Sequence, residues 1–492
     1  LSLLVKYPVP LLILVSTFVR LLTLGGDNLW FDEAFTALVA HPNTNFWQAV
    51  MGDTHPPLWS LIQALNVRLF RDFAYTSVGF RLPALLFSVA SVVLLYYIAK
   101  RLTDDFTAIH AGLMVALLPP FIYFGQDGRM YALLSFCVLF TLWAALRRNF
   151  YWFALGALGA IYTHNVGLLY VAAIGGVAGL TAQGWTNKFK AAMGLGVPAL
   201  LYMPWALTMF RQAMAVGDSF WLPPANILNA LEHVAAVTVG WRLPKPLTLH
   251  ILIACYGLTA VALWQARRWW IHREGLHLAA LVVGAPMLLF LISVFWRNIM
   301  VFRALLPAGM GMMILWASTL SRLPVVVRGG QVQPFGWGSK LLRDVSLPLF
   351  AIATASYLLY GTGRENLIEF EQPLKEGWQS GDVVYFANPT QAIQHWLYLD
   401  REFYIRPAIG DILNITEPVK YAFRIKDAEV PIADLETCRV WLITQQNPFT
   451  RLDEAQYVEY ILNTYPNELT LQLERNENTV DSLYLVHLPC DG

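Results

Sequence analysis

The sequence predicts a polytopic α-helical membrane bundle followed by a small water-soluble α/β domain. Three observations carry that expectation. The 492 residues are 57% hydrophobic and only 14% charged, against about 25% charge in an ordinary soluble domain. Apolar runs approaching the roughly 20 residues needed to cross a bilayer recur from residue 8 to residue 361. The net charge of +1 also conceals a split: 24 Lys+Arg against 12 Asp+Glu up to Tyr360, and 10 against 21 from Gly361 onward. Such asymmetry marks two environments, and the sequence divides accordingly into residues 1–361 and residues 362–492.

The candidate spans are 8–25, 78–99, 107–124, 130–147, 151–163, 165–183, 191–210, 248–266, 277–296, 300–319 and 345–361, about eleven in all. The run from Val9 to Leu24 lacks a small-residue cleavage site and is followed by further spans, so it reads as the first membrane helix. The segment 151–163 is short for a crossing; it is either tilted or continues past Tyr162-Thr163-His164. Orientation follows from Lys and Arg in alternate short loops, among them Lys100-Arg101, Arg147-Arg148 and Arg267-Arg268. Those loops are assigned to the cytoplasm of a bacterial inner membrane. Residues 25–77 and the C-terminal domain then lie outside.

The first outer loop, 25–77, is far longer than an ordinary connection. Short helices are expected over Asp32–His41 and Pro57–Phe70, the second with Leu58, Leu61, Ile62, Leu65 and Leu69 at helical spacing. Such amphipathic helices suit a membrane surface. The loop 211–247, with Trp221, Pro223-Pro224 and Trp241, also reads as interfacial. Beyond Gly361, strands are expected at Asp382–Ala387, Arg439–Thr444, Leu469–Leu473 and Ser482–Val486, with helices at Pro389–Leu399 and Leu452–Leu462. Cys137 and Cys255 lie in apolar runs and read as packing residues. Cys438 and Cys490 are candidates to pair if their domain faces an oxidising compartment, and free thiols otherwise.

Several polar groups interrupt the outer side, and each has a plain structural reading beside the functional one. Asp32-Glu33 follows the first span; the pair would cap a helix, or act on a substrate at the membrane boundary. His55 precedes Pro56-Pro57, which start a helix; it is a turn histidine or a ligand for a phosphate or metal. Asp127, Arg129 and Tyr131 crowd one short turn, where ionic groups near lipid are costly and point to function, or to a local ion pair. Arg81 and Arg303 place positive charge outside, against the usual bias; they suit an anionic substrate or lipid headgroups. His164 sits in a polar break at Tyr162–Asn165. No phosphate loop or dinucleotide fingerprint is present, so an ATP-driven pump is disfavoured. No basic cluster belongs to a nucleic-acid module. No span is seen to carry a charge at its middle, as a proton-coupled transporter often does.

Taken in order, the outer Asp32-Glu33, the His55-Pro-Pro-Leu of the same loop, Asp127-x-Arg129-x-Tyr131 and Arg303-x-Leu-Leu-Pro resemble the protein O-mannosyltransferase and aminoarabinose-transferase superfamily. These are family 39-type glycosyltransferases of the C-type membrane fold, and the resemblance covers roughly residues 8–320. It implies an inverting transfer of a sugar from a polyprenyl-phosphate donor to an acceptor glycan, lipid or protein. Asp32 matches the general base, Asp127 the second-loop carboxylate (more often Glu), His55 a position near the lipid phosphate, and Arg303 a phosphate-binding arginine. A divalent metal stays open, with Asp32, Glu33, His55 and Asp127 as conceivable ligands. The residues alone leave two rivals standing: a lipid or glycan transporter without transfer chemistry, and an assembly subunit.

Overall fold

The protein is described by a computed structural model covering residues 7–26, 28–215, 224–240, 248–322, 352–355, 357–358, 368–387, 403–405, 431–435, 437–446, 452–476 and 479–489. It is a mostly helical, multi-pass membrane protein with a small C-terminal sheet. Contacts divide it into two compact units. One comprises Leu1–Leu24, Thr54–Ile62 and Arg81–Thr362; the other comprises Gly25–Asp53, Gln63–Phe80 and Gly363–Gly492.

The first unit is the bundle. Its helices are α1 (Pro8–Leu21), the start of α4 (Leu58–Phe70), most of α5 (Ser77–Leu102), α6 (Asp105–Leu117), α7 (Pro119–Gly125), α8 (Tyr131–Leu146), α9 (Phe150–Thr163), α10 (Gly167–Leu180), α11 (Trp185–Ala215), α12 (Ile227–Thr238), α13 (Thr248–Ala266), α14 (Arg273–Phe295) and α15 (Leu306–Arg322). Among the described residues, five helices are long and apolar enough to cross a membrane, or six if a bent pair counts as one. Four more of the expected spans coincide with shorter apolar helices: α1, α8, α9 and α10. The span expected at 345–361 lies largely outside the described residues, as do Trp221, Pro223 and Trp241 of the 211–247 loop. That loop contains α12, whose end, Ala235–Thr238, is buried. α9 stops at Thr163: His164 is extended (φ −156°, ψ 140°), so the helix does not run on.

One expected span is broken part-way rather than continuous. Residues 107–124 form two helices, α6 and α7, bent by 62°. The cause is Pro119-Pro120. In a continuous helix, Val115 and Ala116 carbonyls would accept from residues 119 and 120, and proline has no N–H to give. Arg20, fully buried in α1, supplies the missing donors. Its Nη2 reaches Val115 O at 3.2 Å and Phe121 O at 3.0 Å, and its Nη1 reaches Ala116 O at 3.0 Å and Ser16 O at 3.1 Å. Nε completes the set on Ser88 Oγ at 2.8 Å. The next carbonyl, Leu117 O, accepts from Thr354 Oγ1 at 2.6 Å. Gly125 is required beside this arginine, because a Cβ there would lie 2.5 Å from Arg20 Nε and from Ser88 Oγ.

The second unit contains α2 (Phe31–Ala40), α3 (Phe46–Gly52), the rest of α4 and a C-terminal α/β sheet. α2 is the expected helix at 32–41; α3 was not foreseen. Residues 29–80 of this unit form two small clusters of their own: Ala40, Ala64, Val67 and Ala74, and Leu29, Ala37 and Phe80. Gln63 Nε2 donates to Phe80 O and Asn66 Nδ2 to Gly79 O, so α4 turns its polar, small-residue face inward. The leucines that predicted α4 point the other way: Leu61, Leu65 and Leu69 are exposed. Their exposure leaves an apolar stripe along α4.

The sheet has the order β2 (Phe403–Ile405), β1 (Val383–Phe386), β3 (Arg439–Gln446), β5 (Thr479–His487), β4 (Asn467–Asn476). β1 pairs in parallel with β2 and β3, and β5 pairs antiparallel with β3 and β4. Alternation assigns the faces. Val384, Phe386, Trp441, Ile443 and Leu483 pack against Phe370 and Leu374 of α16 (Ile368–Gly377). Tyr385, Val440, Leu442 and Val486 pack against Ile461 of α17 (Leu452–Thr464). The four strands and the α17 helix read from the sequence are present, β2 and α16 are additional, and the helix expected at 389–399 lies outside the described residues.

Cys438, which precedes β3, is disulfide-bonded, whereas Cys137 and Cys255 are free and buried. Cys490 lies outside the described residues. Cys438→Ser is expected to lower the stability of the C-terminal domain by about 2–4 kcal/mol. Proteolysis of the domain with and without reductant measures it: the wild type becomes sensitive on reduction, the variant is already so.

Candidate functional site

In the first unit three short connections converge. The first is the turn Gln126–Met130 between α7 and α8. Every residue of it is buried, with Asp127 at 0% and Arg129 at 5% exposure. Gln126 Nε2 donates to Arg20 O at 2.6 Å and to Thr23 Oγ1 at 2.7 Å. Trp59 Nε1 donates to Gly128 O at 2.9 Å, which ties the first turn of α4 to this turn. The proline-imposed bend therefore ends on a charged turn held from both sides.

The second connection is Thr54–Pro57, where the chain enters α4. Two prolines stiffen it, and Thr54 Oγ1 lies 3.0 Å from His55 Nδ1. The third is the turn His164–Val166 between α9 and α10. Val166 N–H donates to His164 Nδ1 at 3.1 Å, so the neutral ring carries its proton on Nε2. Burial first, and then the nearness of His55, Arg303 and Arg129, push the His164 pKa well below the usual histidine value. His164 is therefore an uncharged Nε2–H donor at neutral pH.

These side chains touch one another. The rings of His55 and His164 meet edge to face at 5.1 Å, and Tyr131 lies 6.0 Å from His164. The Arg303 guanidinium lies over the Tyr131 ring, 5.5 Å from its centre, a cation–π contact. Arg303 occupies the one-turn helix Phe302–Leu305 before α15, which Tyr170 Oη holds by donating to Ala304 O at 3.0 Å. His55, Tyr131, His164 and Arg303, predicted as separate candidates, thus form one contiguous set. Arg129 is close enough to bias His164. Arg81 is buried and donates from Nη1 to Leu24 O at 2.9 Å, so at least one of its donors holds the end of α1.

Asp32 and Glu33 belong to the second unit, in the first turn of α2. Glu33 is fully buried, and its Oε2 accepts from Trp30 N–H at 3.2 Å, closing the start of the helix. Asp32 is partly exposed, and its carbonyl, not its carboxylate, takes the Thr36 hydroxyl at 2.9 Å. Among the described residues no three of His, Cys, Asp and Glu gather as a metal site would need. Beside the Asp127 carboxylate, the set of His55, His164, Arg129 and Arg303 offers hydrogen-bond donors and cations, which suit an oxyanion.

The sequence reading passed over Arg20, Trp59 and Tyr170. Arg20 was signalled by two prolines inside an apolar span, whose orphaned carbonyls needed donors. The others reveal their roles only through partners distant in the chain.

A family described as dolichyl-phosphate-mannose-protein mannosyltransferase matches residues 54–208, which include His55, Arg81, Asp127, Arg129, Tyr131 and His164. ArnT from Cupriavidus metallidurans bound to undecaprenyl phosphate is similar in structure, with a TM-score of 0.60, 14% identity, and 96% of this chain aligned to 97% of that one. Its apo form gives a TM-score of 0.59 over the same spans. The fold is that of the C-type membrane glycosyltransferases. A second structure with this C-type fold, the oligosaccharyltransferase AglB from Archaeoglobus fulgidus in complex with an inhibitory peptide and a dolichol-phosphate, has a TM-score of 0.50 at 12% identity. There 85% of this chain aligns to 64% of that one. No curated protein matches the chain by sequence.

Proposed function

We propose that the chain transfers a sugar from a polyprenyl-phosphate donor to an acceptor on the non-cytoplasmic face of a bacterial inner membrane, with inversion at the anomeric carbon. The observation that carries this is the contiguous set His55–His164–Tyr131–Arg303, with Arg129 beside it, in a fold also seen in a protein bound to undecaprenyl phosphate. The transfer is a single displacement. Asp32 takes the proton of the acceptor hydroxyl, whose oxygen bonds to the anomeric carbon as the bond to the phosphate oxygen breaks. The polyprenyl phosphate leaves with one more negative charge. Arg303, Arg129 and His55 receive that charge, and His164 adds a neutral Nε2–H donor. Asp127 assists from the buried turn. The Cys438 disulfide supports placing the C-terminal domain in an oxidising, extracytoplasmic compartment. The sequence-based count of about eleven spans and the boundary at 361/362 belong to this proposal.

The test uses full-length protein in liposomes given a panel of polyprenyl-phosphate sugars labelled in the sugar. The expected result is sugar appearing on an acceptor together with stoichiometric free polyprenyl phosphate. Movement of intact donor between leaflets, without release of the phosphate, would make the protein a transporter instead.

A further inference from the structure

The turn between α9 and α10 contributes more than His164. Asn165 Nδ2 donates to the carbonyl of Thr54 at 3.1 Å, and Asn165 Oδ1 accepts from Tyr202 Oη at 3.2 Å. The amide orientation is dictated by its partners, because the Thr54 carbonyl can only accept and so requires the NH2 end. Tyr202 is 4% exposed and comes from α11. Its ring also meets Tyr162 of α9 edge to face at 5.3 Å, and Tyr162 Oη donates to Leu201 O at 2.6 Å. Two bundle helices are thus locked together where Asn165 is presented. From there the chain of bonds runs Tyr202, Asn165, Thr54 backbone, then Thr54 Oγ1 to His55 Nδ1 at 3.0 Å.

We propose that Asn165 is a positioning residue for His55: through the Thr54 carbonyl it fixes the rotation and height of the His55 imidazole against His164, with Tyr202 as its anchor. The inference rests on the reading of His55 as a phosphate-binding group. Three features favour a positioning role over general packing. Thr54 and His55 lie in the connection that leads into α4, and the Asn165 side chain reaches it from 111 residues away in the chain. The two prolines that follow fix the direction of the chain but leave residue 54 to be located from outside. The same turn that carries Asn165 also carries His164, so one rigid segment sets both partners of the edge-to-face ring pair.

Asn165→Asp tests this. It is isosteric and keeps an acceptor for Tyr202 but loses the donor to Thr54 and adds a charge, so the uncharged Asn165→Leu, which also loses that donor, is measured beside it and is expected to show the same loss and the same non-additivity. The probe is binding of undecaprenyl phosphate by the full-length protein in detergent, with undecaprenol as the phosphate-free control. Asn165→Asp is expected to weaken the phosphate lipid by about tenfold, leave undecaprenol and the melting temperature unchanged, and add no further loss in a His55→Ala background. Tyr202→Phe, which removes the anchor alone, should cost about threefold with the same non-additivity. Unchanged phosphate binding in Asn165→Asp, or losses that add to those of His55→Ala, would overturn the positioning role. If His55→Ala itself binds undecaprenyl phosphate as the wild type does, the phosphate-binding reading of His55 fails instead, and the two failures are told apart.

Discussion

Asp32→Asn is expected to fold as the wild type does and to lose sugar transfer by about 10²–10⁴-fold, the usual contribution of a positioned general base. Both halves of that expectation follow from the start of α2. The substitution is nearly isosteric. The helix start is closed by Glu33 on Trp30 N–H, and Thr36 binds the Asp32 carbonyl, which asparagine retains. Both of these cap bonds survive the substitution, whereas the proposed proton transfer depends on the Asp32 carboxylate wholly. Glu33→Gln supplies the contrast. It disturbs a buried, capping carboxylate and should cost about 1 kcal/mol of stability with a smaller effect on turnover. Turnover numbers measured beside melting curves separate the two. An Asp32→Asn protein with full activity would remove Asp32 from the reaction.

The second large effect is expected from Arg20→Leu, and it is one of stability. The arginine makes five hydrogen bonds, one to a hydroxyl and four to backbone carbonyls. Val115 O and Ala116 O depend on it because the residues that would normally serve them are prolines. Leaving two buried carbonyls unserved costs about 1–3 kcal/mol each, so a loss of roughly 3 kcal/mol or more is expected in detergent unfolding. Arg20→Lys should recover little, since one ammonium cannot span four carbonyls as a guanidinium fork does. Replacing Pro119 and Pro120 by alanine in the Arg20→Leu background returns two N–H donors and should restore part of the stability. If Arg20→Leu melts with the wild type, the account of the bend is wrong.

Much of the fold was legible because it rests on local pattern. The C-terminal strands announced themselves by alternation, and the register of β1, β3 and β5 bears this out. α3 went unseen because seven residues hold too little periodicity, and β2 because three residues hold none. The break at Leu118 was written in Pro119-Pro120, but the apolar composition of 107–124 concealed it. For the candidate site, residue chemistry and membrane side identified His55, Tyr131, His164 and Arg303 one by one. Their contact could not be read, because residues 55 and 164 meet only through the packing of helices far apart in the chain. The same limit hid the Tyr202–Asn165–Thr54 relay, whose members follow no sequence periodicity.

Arg20 also bears on how the protein is made. Its carbonyl partners beyond α1 lie 95, 96 and 101 residues further along the chain. While the ribosome is still completing those residues, α1 offers the bilayer a bare guanidinium, which costs about 2.5–3.5 kcal/mol at the centre of an inserting helix and less toward an end. The burial of this arginine is therefore complete only once the proline-broken hairpin is made and takes the charge in.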